Sequence, residues 1–182
     1  MNKLETKLEG SRIYLRKLGL DDATNAYCSW LNDTEVNQYL DTKGATLNEI
    51  KKYILIKNKK KDALLFGIFV KENNRHIGTI KLDPIDRNLN KATTAIMIGD
   101  KEYWGKGFGG DAIILLSEYG FVELGLQEIW LGVKCANIAA IKSYSKIGFK
   151  KISVANDYDR IAFDPYLQNE INMVLTRKEF YN

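Results

Sequence analysis

The sequence predicts an α/β (α+β) fold in which helices flank a mixed, mostly antiparallel central sheet. Three observations predict it: amphipathic helical segments near the start of the chain, a series of apolar strands joined by a hairpin turn, and then two units in which a strand precedes a helix. The chain has 182 residues, of which 45% are hydrophobic and 27% charged, as in an ordinary globular domain. We therefore expect a single domain over residues 1–182.

The first predicted elements are a strand and two helices. Polar and apolar residues alternate in Arg12–Arg16, which indicates a strand. Asp21–Asp22 offers an N-cap for a helix that ends at Asn32–Thr34. Thr46 is predicted to cap a second helix, which reaches about Lys57.

A run of strands follows these helices. Leu64–Lys71 and His76–Leu82 are separated by Glu72–Arg75, a polar sequence typical of a hairpin turn. Asp83–Pro84 is expected to end the second strand, and a third strand is predicted over Ala92–Ile98. These strands form the antiparallel part of the predicted sheet.

Helices and strands alternate in the rest of the chain. The predicted elements are a helix over Asp111–Glu123, a strand over Glu128–Lys134, a helix over Asn137–Ile147 stopped by Gly148, and strands over Phe149–Val154 and Asn172–Thr176. Because successive strand-helix units lie side by side, we expect Ala92–Ile98 and Glu128–Lys134 to be neighbours, with a cleft between them.

Composition and charge exclude several classes of function. The net charge of +4 is spread along the chain, so we predict no nucleic-acid partner and expect the run Lys57–Lys61 to be solvated. Cys28 and Cys135 stand far apart, which indicates neither a zinc site nor a disulfide framework and favours a reducing, cytoplasmic location. The longest apolar run, Ala63–Val70, is too short to cross a bilayer, so we predict no membrane partner.

A glycine-rich loop joins the third strand to the next helix, and its residues are Trp104, Gly105, Lys106, Gly107, Phe108, Gly109 and Gly110. Glycines allow positive φ angles and leave no Cβ in the way, so amides at the start of such a helix can point at an anion. A pyrophosphate would fit there, although a tight strand-to-helix turn would use the same glycines. Gly107, not Ser or Thr, follows Lys106, so the loop does not match that of nucleoside triphosphatases.

A second pattern lies in the next strand-helix unit. Two residues separate Asn137 from Ala140, three separate Ala140 from Tyr144, and three more separate Tyr144 from the pair Gly148 and Phe149. Together with the glycine loop, this pattern resembles the GNAT superfamily of acetyl-CoA-dependent N-acetyltransferases, and the resemblance covers essentially the whole chain. The Trp-Gly-Lys-Gly form of the loop and the segment Trp30–Asp33 resemble the ribosomal-protein N-terminal acetyltransferase branch and its relatives that modify amino sugars and polyamines.

The resemblance implies acetyl-CoA as co-substrate, held by a splayed pair of strands, and no metal. The amides of residues 104–110 would hold the pyrophosphate. The backbone of Ile96, Met97 and Ile98 would pair with the pantetheine arm. Asn137, the expected N-cap of its helix, would also meet a pantetheine amide.

The resemblance also implies that Tyr144 is the general acid that protonates the departing thiolate. A phenol with a pKa near 10 stays protonated at neutral pH, although a packed aromatic residue would satisfy the same spacing. Many relatives carry a glutamate as base on the strand before the loop, but Ala92–Ile96 contains no carboxylate. The base stays unassigned, because the nearby candidates each suit a structural role at least as well: Asp83, Asp100, Glu102 and His76.

The acceptor amine is expected near the N-terminal helices, where the candidate substrate-binding residues are Trp30, Asn32, Asp33 and Tyr39. Asp33 is equally suited to capping a helix. A small-molecule amine such as an amino sugar nucleotide is one acceptor that the resemblance implies, and a protein N-terminus is the alternative. A non-catalytic acyl-CoA-binding module is the alternative of another class, and a homodimer is left open.

Overall fold

Helices and strands follow each other along the chain largely as the apolar pattern predicts. The computed structural model describes residues 6–152 and 169–182. The elements in these ranges are β1 (Lys7–Glu9), β2 (Ile13–Lys17), α1 (Asn25–Asn32), α2 (Leu47–Lys59), β3 (Leu64–Val70), β4 (His76–Asp86), β5 (Lys91–Ile98), α3 (Phe108–Val122), β6 (Glu128–Lys134), α4 (Ile138–Ile147), β7 (Lys150–Ile152), β8 (Glu170–Thr176) and α5 (Arg177–Phe180).

The strands form one open sheet in the order β1-β2-β3-β4-β5-β6-β8-β7. β1, β2 and β3 are successive antiparallel neighbours, and β8 pairs antiparallel with both β6 and β7. β5 and β6 pair in parallel, which confirms that the two strand-helix units are neighbours. The predicted class, a mixed and mostly antiparallel sheet flanked by helices, is therefore confirmed.

Within the described residues the chain forms two compact units. The first comprises residues 6–81 and 96–115, and the second comprises residues 82–95, 116–152 and 169–182. β4, β5 and α3 each contribute residues to both units.

The first unit has a hydrophobic cluster to which α1, α2 and β3 contribute. Ile54 of α2 is fully buried in it, and Trp30 of α1 and Met97 of β5 are each 8% exposed. Thr46 begins α2 with a capping box, since its Oγ1 accepts from the Glu49 amide (3.3 Å) while Glu49 Oε2 accepts from the Thr46 amide (2.7 Å). The predicted cap is thus confirmed, and it sets where α2 begins.

In the second unit, β6 pairs with β8 along its whole length, from Glu128↔Thr176 to Lys134↔Glu170. The pairing of β5 with β6 covers the first three residues of each strand, Lys91–Thr93 with Glu128–Trp130. Gly148 ends α4 at φ +112°, a left-handed conformation that glycine adopts without strain. The helix stop predicted at Gly148 is confirmed.

Three local expectations need correction. Asp21–Asp22 does not cap α1, because Thr24 does so, its Oγ1 accepting from the Tyr27 amide at 3.2 Å. Asp22 instead receives both Arg16 guanidinium nitrogens at 2.7 Å. Asp83–Pro84 does not end β4, which runs on to Asp86 because burial of the flanking apolar side chains outweighs the turn signal. Pattern analysis also missed the three-residue β1, and Val154 of the last predicted strands lies outside the described residues.

Candidate active site

β5 ends in a bulge at Gly99. The amides of Gly99 and Asp100 both donate to the carbonyl of Ile77, at 2.9 and 3.1 Å, so two residues oppose one across the strands. A Cβ on Gly99 would lie 2.2 Å from the Trp30 indole, so only glycine lets that ring rest on the backbone here. The bulge therefore lies directly before the glycine-rich loop.

The glycine-rich loop turns from this bulge into α3. A short 3₁₀ helix covers Lys101–Tyr103, and Trp104 Nε1 then donates to the carbonyl of Ile98 at 2.7 Å. Gly105 and Gly107 have φ angles of +71° and +85°, which glycine adopts at low cost. The indole of Trp104 thus ties the loop back to the end of β5.

The start of α3 leaves backbone donors open. Its first hydrogen bond runs from the Asp111 amide to the Gly107 carbonyl at 3.0 Å, so the amides of Phe108, Gly109 and Gly110 have no acceptor in the helical ladder. A Cβ on Gly105 would meet nothing within 4 Å. Open amides, empty space beside the loop and the positive end of a 15-residue helix together fit a diphosphate.

The loop also meets the strand predicted to pair with pantetheine. A Cβ on Gly109 would lie 3.6 Å from Ile98 Cγ1 and 3.9 Å from Ile96 Cδ1, so both side chains face the first turn of α3. Met97 points the other way, into the hydrophobic cluster of the first unit. Further back on β5, the buried hydroxyls of Thr93 and Thr94 have no hydrogen-bond partner within the described residues.

Arg12, directly before β2, contacts the loop, and the sequence did not indicate this role. Its Nη1 donates to the Lys106 carbonyl at 3.0 Å, and its Nε donates to Asp111 Oδ2 at 2.8 Å. The guanidinium carbon lies 4.5 Å from the centre of the Phe108 ring. The residues in contact are 94 and 99 positions apart, so no local pattern could have revealed them.

On α4, Asn137 is the N-cap that the sequence predicts, with its Oδ1 accepting from the Ala140 amide at 3.2 Å. Tyr144 lies half-buried on the same helix, its ring centre 5.8 Å from that of Phe149. Burial raises the pKa of Tyr144 to about 12. No hydrogen bond to the Tyr144 hydroxyl occurs in the described part of the chain, and the raised pKa keeps this phenol protonated at pH 7.

The predicted acceptor residues hold other parts of the first unit together. Trp30 is buried against Gly99, and Asn32 Nδ2 donates to the carbonyls of Cys28 and Ala45, both at 2.8 Å. Asp33 accepts from the amides of Glu35 and Val36 and forms a 2.8 Å ion pair with Lys101. Tyr39 is half-buried in the turn that follows.

Lys101 forms ion pairs with two carboxylates at once. Its ammonium lies 2.8 Å from Asp33 and 3.0 Å from Glu35. The hydrogen bond from Lys101 is the main cause that holds the pKa of Asp33 below its usual value. Lys101, next to the glycine-rich loop, therefore offsets one of the two negative charges that these carboxylates carry.

The candidate bases are engaged as well. Arg75 lies 2.7 Å from Asp100 and 2.7 Å from Glu102, and Asp100 also accepts from the Glu102 amide as an N-cap. His76 is enclosed by the rings of Tyr27, Trp30 and Phe69, and burial lowers its pKa to about 4. His76 is therefore neutral at pH 7, and the general base stays unassigned.

The geometry agrees with comparisons to known proteins. The family model for the acetyltransferase (GNAT) domain matches residues 12–150. The chain is a GNAT acetyltransferase. Among its relatives, the N-acetyltransferase p20 of Bacillus licheniformis is 32% identical over 153 residues, which cover 82% of this chain and 85% of that protein. The N-acetyltransferase YoaA of Bacillus subtilis strain 168 is 27% identical over 94% of this chain and 98% of its own.

Solved structures show the same fold. Spermidine N-acetyltransferase of Vibrio cholerae, crystallised with CoA and spermine, has a TM-score of 0.79 at 21% identity and covers 95% of this GNAT acetyltransferase and 100% of its own chain. A ribosomal-protein-serine acetyltransferase of Vibrio cholerae has a TM-score of 0.77 at 19% identity, covering 94% and 97%. The nucleotide-linked sugar GNAT FdhC has a TM-score of 0.77 at 20% identity, and the match covers 98% of this chain and 94% of the FdhC chain.

The predicted family and enzyme class are thus confirmed: this GNAT protein is an acetyl-CoA-dependent N-acetyltransferase. Among the described residues, no helix combines the length and the apolar content needed to cross a bilayer. That part of the chain also contains no cluster of three or more His, Cys, Asp or Glu side chains suited to a metal ion.

Proposed function

We propose that this enzyme acetylates a primary amine on a small molecule by direct attack of the amine on the acetyl thioester, with Tyr144 as the general acid. The observation that carries the proposal is the Tyr144 phenol, whose pKa of about 12 keeps it protonated and whose hydroxyl has no partner among the described residues. As the amine nitrogen bonds to the acetyl carbon and the carbon–sulfur bond breaks, Tyr144 donates its proton to sulfur. The attacking nitrogen releases one proton to bulk solvent, and bulk solvent returns one proton to the phenolate, so that the products are the acetamide, the CoA thiol and a neutral Tyr144.

The glycine-rich loop would hold acetyl-CoA through its diphosphate. Support comes from the open amides of Phe108, Gly109 and Gly110 and from the space beside Gly105. The backbone of β5 from Ile96 to Ile98 would pair with the pantetheine arm, although Trp104 already occupies the carbonyl of Ile98. The side-chain amide of Asn137 would add one donor from the start of α4.

A nucleotide-linked amino sugar is the acceptor that we favour. In a site that selects polyamines, unpaired carboxylates are expected to attract the ammonium groups. Here Lys101 pairs with both Asp33 and Glu35, which weakens that attraction and favours an acceptor whose binding does not depend on several ammonium groups. The fold shared with FdhC, a nucleotide-linked sugar GNAT, is consistent with this choice.

Thiol release from acetyl-CoA, measured with three classes of amine, tests the acceptor. The panel contains nucleotide-linked amino sugars, spermidine, and a peptide with a free N-terminal serine. We expect the highest kcat/KM with a nucleotide-linked amino sugar. Faster turnover of the peptide would favour the protein N-terminus as acceptor, and faster turnover of spermidine would contradict the role given to Lys101.

Tyr144→Phe tests the general acid. We expect kcat to fall about 10²-fold or more, with little change in the KM for acetyl-CoA, because the ring is kept and only the proton donor is lost. The acid is active when protonated and is lost as pH rises through its pKa of about 12, so wild-type kcat should show no decline caused by Tyr144 between pH 7 and pH 10. A variant with full kcat would remove Tyr144 from the mechanism.

A further inference from the structure

We propose that Arg12 is a positioning residue that presents the glycine-rich loop to the CoA diphosphate. The inference rests on the proposed function, because it concerns the loop that would bind the diphosphate. Arg12 lies directly before β2, and its own carbonyl accepts from the Lys71 amide at 2.9 Å. Its side chain thus reaches the loop from a backbone that is anchored in the sheet.

Arg12 fixes the orientation of one loop peptide. Its Nη1 holds the Lys106 carbonyl at 3.0 Å. In a trans peptide the carbonyl and the following N–H point in opposite directions, so the Gly107 amide points away from Arg12. That N–H is one of the donors expected to face the diphosphate.

Arg12 also neutralises the carboxylate nearest the proposed anion site. Asp111 lies in the first turn of α3, where its negative charge is favourable for the helix but would repel a diphosphate. Arg12 Nε and Nη2 both lie 2.8 Å from Asp111 Oδ2, which pairs the two charges. The site therefore keeps the open amides of α3 without an unpaired carboxylate beside them.

The glycine at position 107 fits the same arrangement. A Cβ there would lie 3.1 Å from Arg12 Nη2, closer than most Cβ contacts. The guanidinium plane also lies over Phe108, with 4.5 Å between the guanidinium carbon and the ring centre. Arg12 therefore contacts the carbonyl of Lys106 and the Phe108 ring in the loop, and the Asp111 carboxylate in the first turn of α3.

The test compares two acetyl donors that share a thioester and a pantetheine arm, acetyl-CoA and S-acetylpantetheine, of which only acetyl-CoA carries the diphosphate. For Arg12→Gln we expect the KM for acetyl-CoA to rise about tenfold or more. The KM for S-acetylpantetheine should stay within about twofold of the wild-type value. The KM of Arg12→Lys for acetyl-CoA should lie between those of the wild type and Arg12→Gln, because one ammonium cannot reproduce the forked contacts to the Lys106 carbonyl and Asp111.

The matched control is Lys17→Gln, which removes one positive charge from the exposed far end of β2, the strand that follows Arg12. We expect this control to leave both KM values unchanged. A purely structural role for Arg12 would lower thermal stability while leaving the ratio of the two KM values as in the wild type, and that result would overturn the inference. An unchanged KM for acetyl-CoA in Arg12→Gln would overturn it too.

Failure of the proposed function gives a different result. If the wild-type enzyme uses acetyl-CoA and S-acetylpantetheine with the same KM, the loop does not bind the diphosphate and the site assignment itself is wrong. If the wild type strongly prefers acetyl-CoA and Arg12→Gln keeps that preference, only the role of Arg12 is wrong.

Discussion

The glycine-rich loop and the segment Trp30–Tyr39 were both predicted to bind substrates. Their polar groups differ, because those of the loop are partly open and those of the segment are engaged within the protein. In the loop, the amides of Phe108, Gly109 and Gly110 have no helical acceptor, while the nearby carboxylate is paired with Arg12. In the segment Trp30–Tyr39, the side chains of Asn32 and Asp33 are engaged with the protein.

This difference separates two kinds of polar residue. Amides that have no acceptor within the protein bind water or a ligand, so they are available for a binding surface. Donors and acceptors that already hold two elements together stabilise the fold. By this criterion the loop is the stronger binding candidate, and the segment mainly connects α1 to the chain that follows it.

Gly107→Ala should give the largest effect, because it changes the loop twice. The φ angle of +85° is strained for alanine, and the new Cβ would press on Arg12 at 3.1 Å. We expect the KM for acetyl-CoA to rise about tenfold or more, corresponding to about 1.4 kcal/mol or more. Steady-state kinetics with acetyl-CoA as the varied substrate measures this change.

Gly125→Ala is the matched control for backbone strain. Gly125 has a similar φ of +70°, and its Cβ would meet nothing within 4 Å, in the turn after α3. We expect it to lose about 1 kcal/mol of stability while keeping the KM for acetyl-CoA. Equal rises in KM for the two variants would mean that strain alone, and not the loop geometry, explains the result.

Asn32→Ala should change stability rather than catalysis. The variant removes two 2.8 Å hydrogen bonds, one to the Cys28 carbonyl within α1 and one that joins the end of α1 to Ala45, so we expect a loss of about 1–2 kcal/mol in the free energy of unfolding. Urea unfolding measures the loss, and kinetics should show unchanged KM values for both substrates. Asn48→Ala, at an exposed position of α2, serves as the control that costs no stability.

A raised KM for the amine in Asn32→Ala, with stability unchanged, would contradict the comparison. Asn32 would then hold the acceptor, as the sequence analysis predicted, and its contacts with Cys28 and Ala45 would be secondary. The distinction between open and satisfied polar groups would no longer separate binding from structure.

Features set by local sequence were predictable. Thr46, Asn137 and Gly148 begin or end helices as expected, because capping depends on residues within one turn. The parallel pairing of β5 with β6 followed from the order of strands and helices. The position of the glycine-rich loop was predictable as well, because an apolar strand precedes it and a helical pattern follows it.

Features set by distant contacts were not predictable. Arg12 and Asp111 are 99 residues apart, and Lys101 and Glu35 are 66 apart. No periodicity or motif links such positions, although their charges decide which polar groups stay open. The cap predicted at Asp21–Asp22 was wrong because two local interactions compete there. The Asp22 carboxylate pairs with Arg16, and Thr24 caps α1 instead.

The side chain of Asn137 has one polar atom that is engaged with the protein and one that is open. Its substitution should give the smallest change in the KM for acetyl-CoA. Its Oδ1 caps α4 by accepting from the Ala140 amide, while its Nδ2 has no acceptor within the described residues. Asn137→Ser keeps an oxygen that can cap the helix but loses the amide donor. We expect Asn137→Ser to retain wild-type stability and to raise the KM for acetyl-CoA severalfold, because a pantetheine carbonyl loses its donor.

Asn137→Ala completes the comparison, since it removes both functions of the side chain. It should lose about 1 kcal/mol of stability through the missing cap and show the same rise in KM as Asn137→Ser. Thermal unfolding separates the first effect from the second. If Asn137→Ser has a wild-type KM while Asn137→Ala is only less stable, Asn137 is a helix cap alone, and an open donor beside the site would not by itself identify a ligand contact.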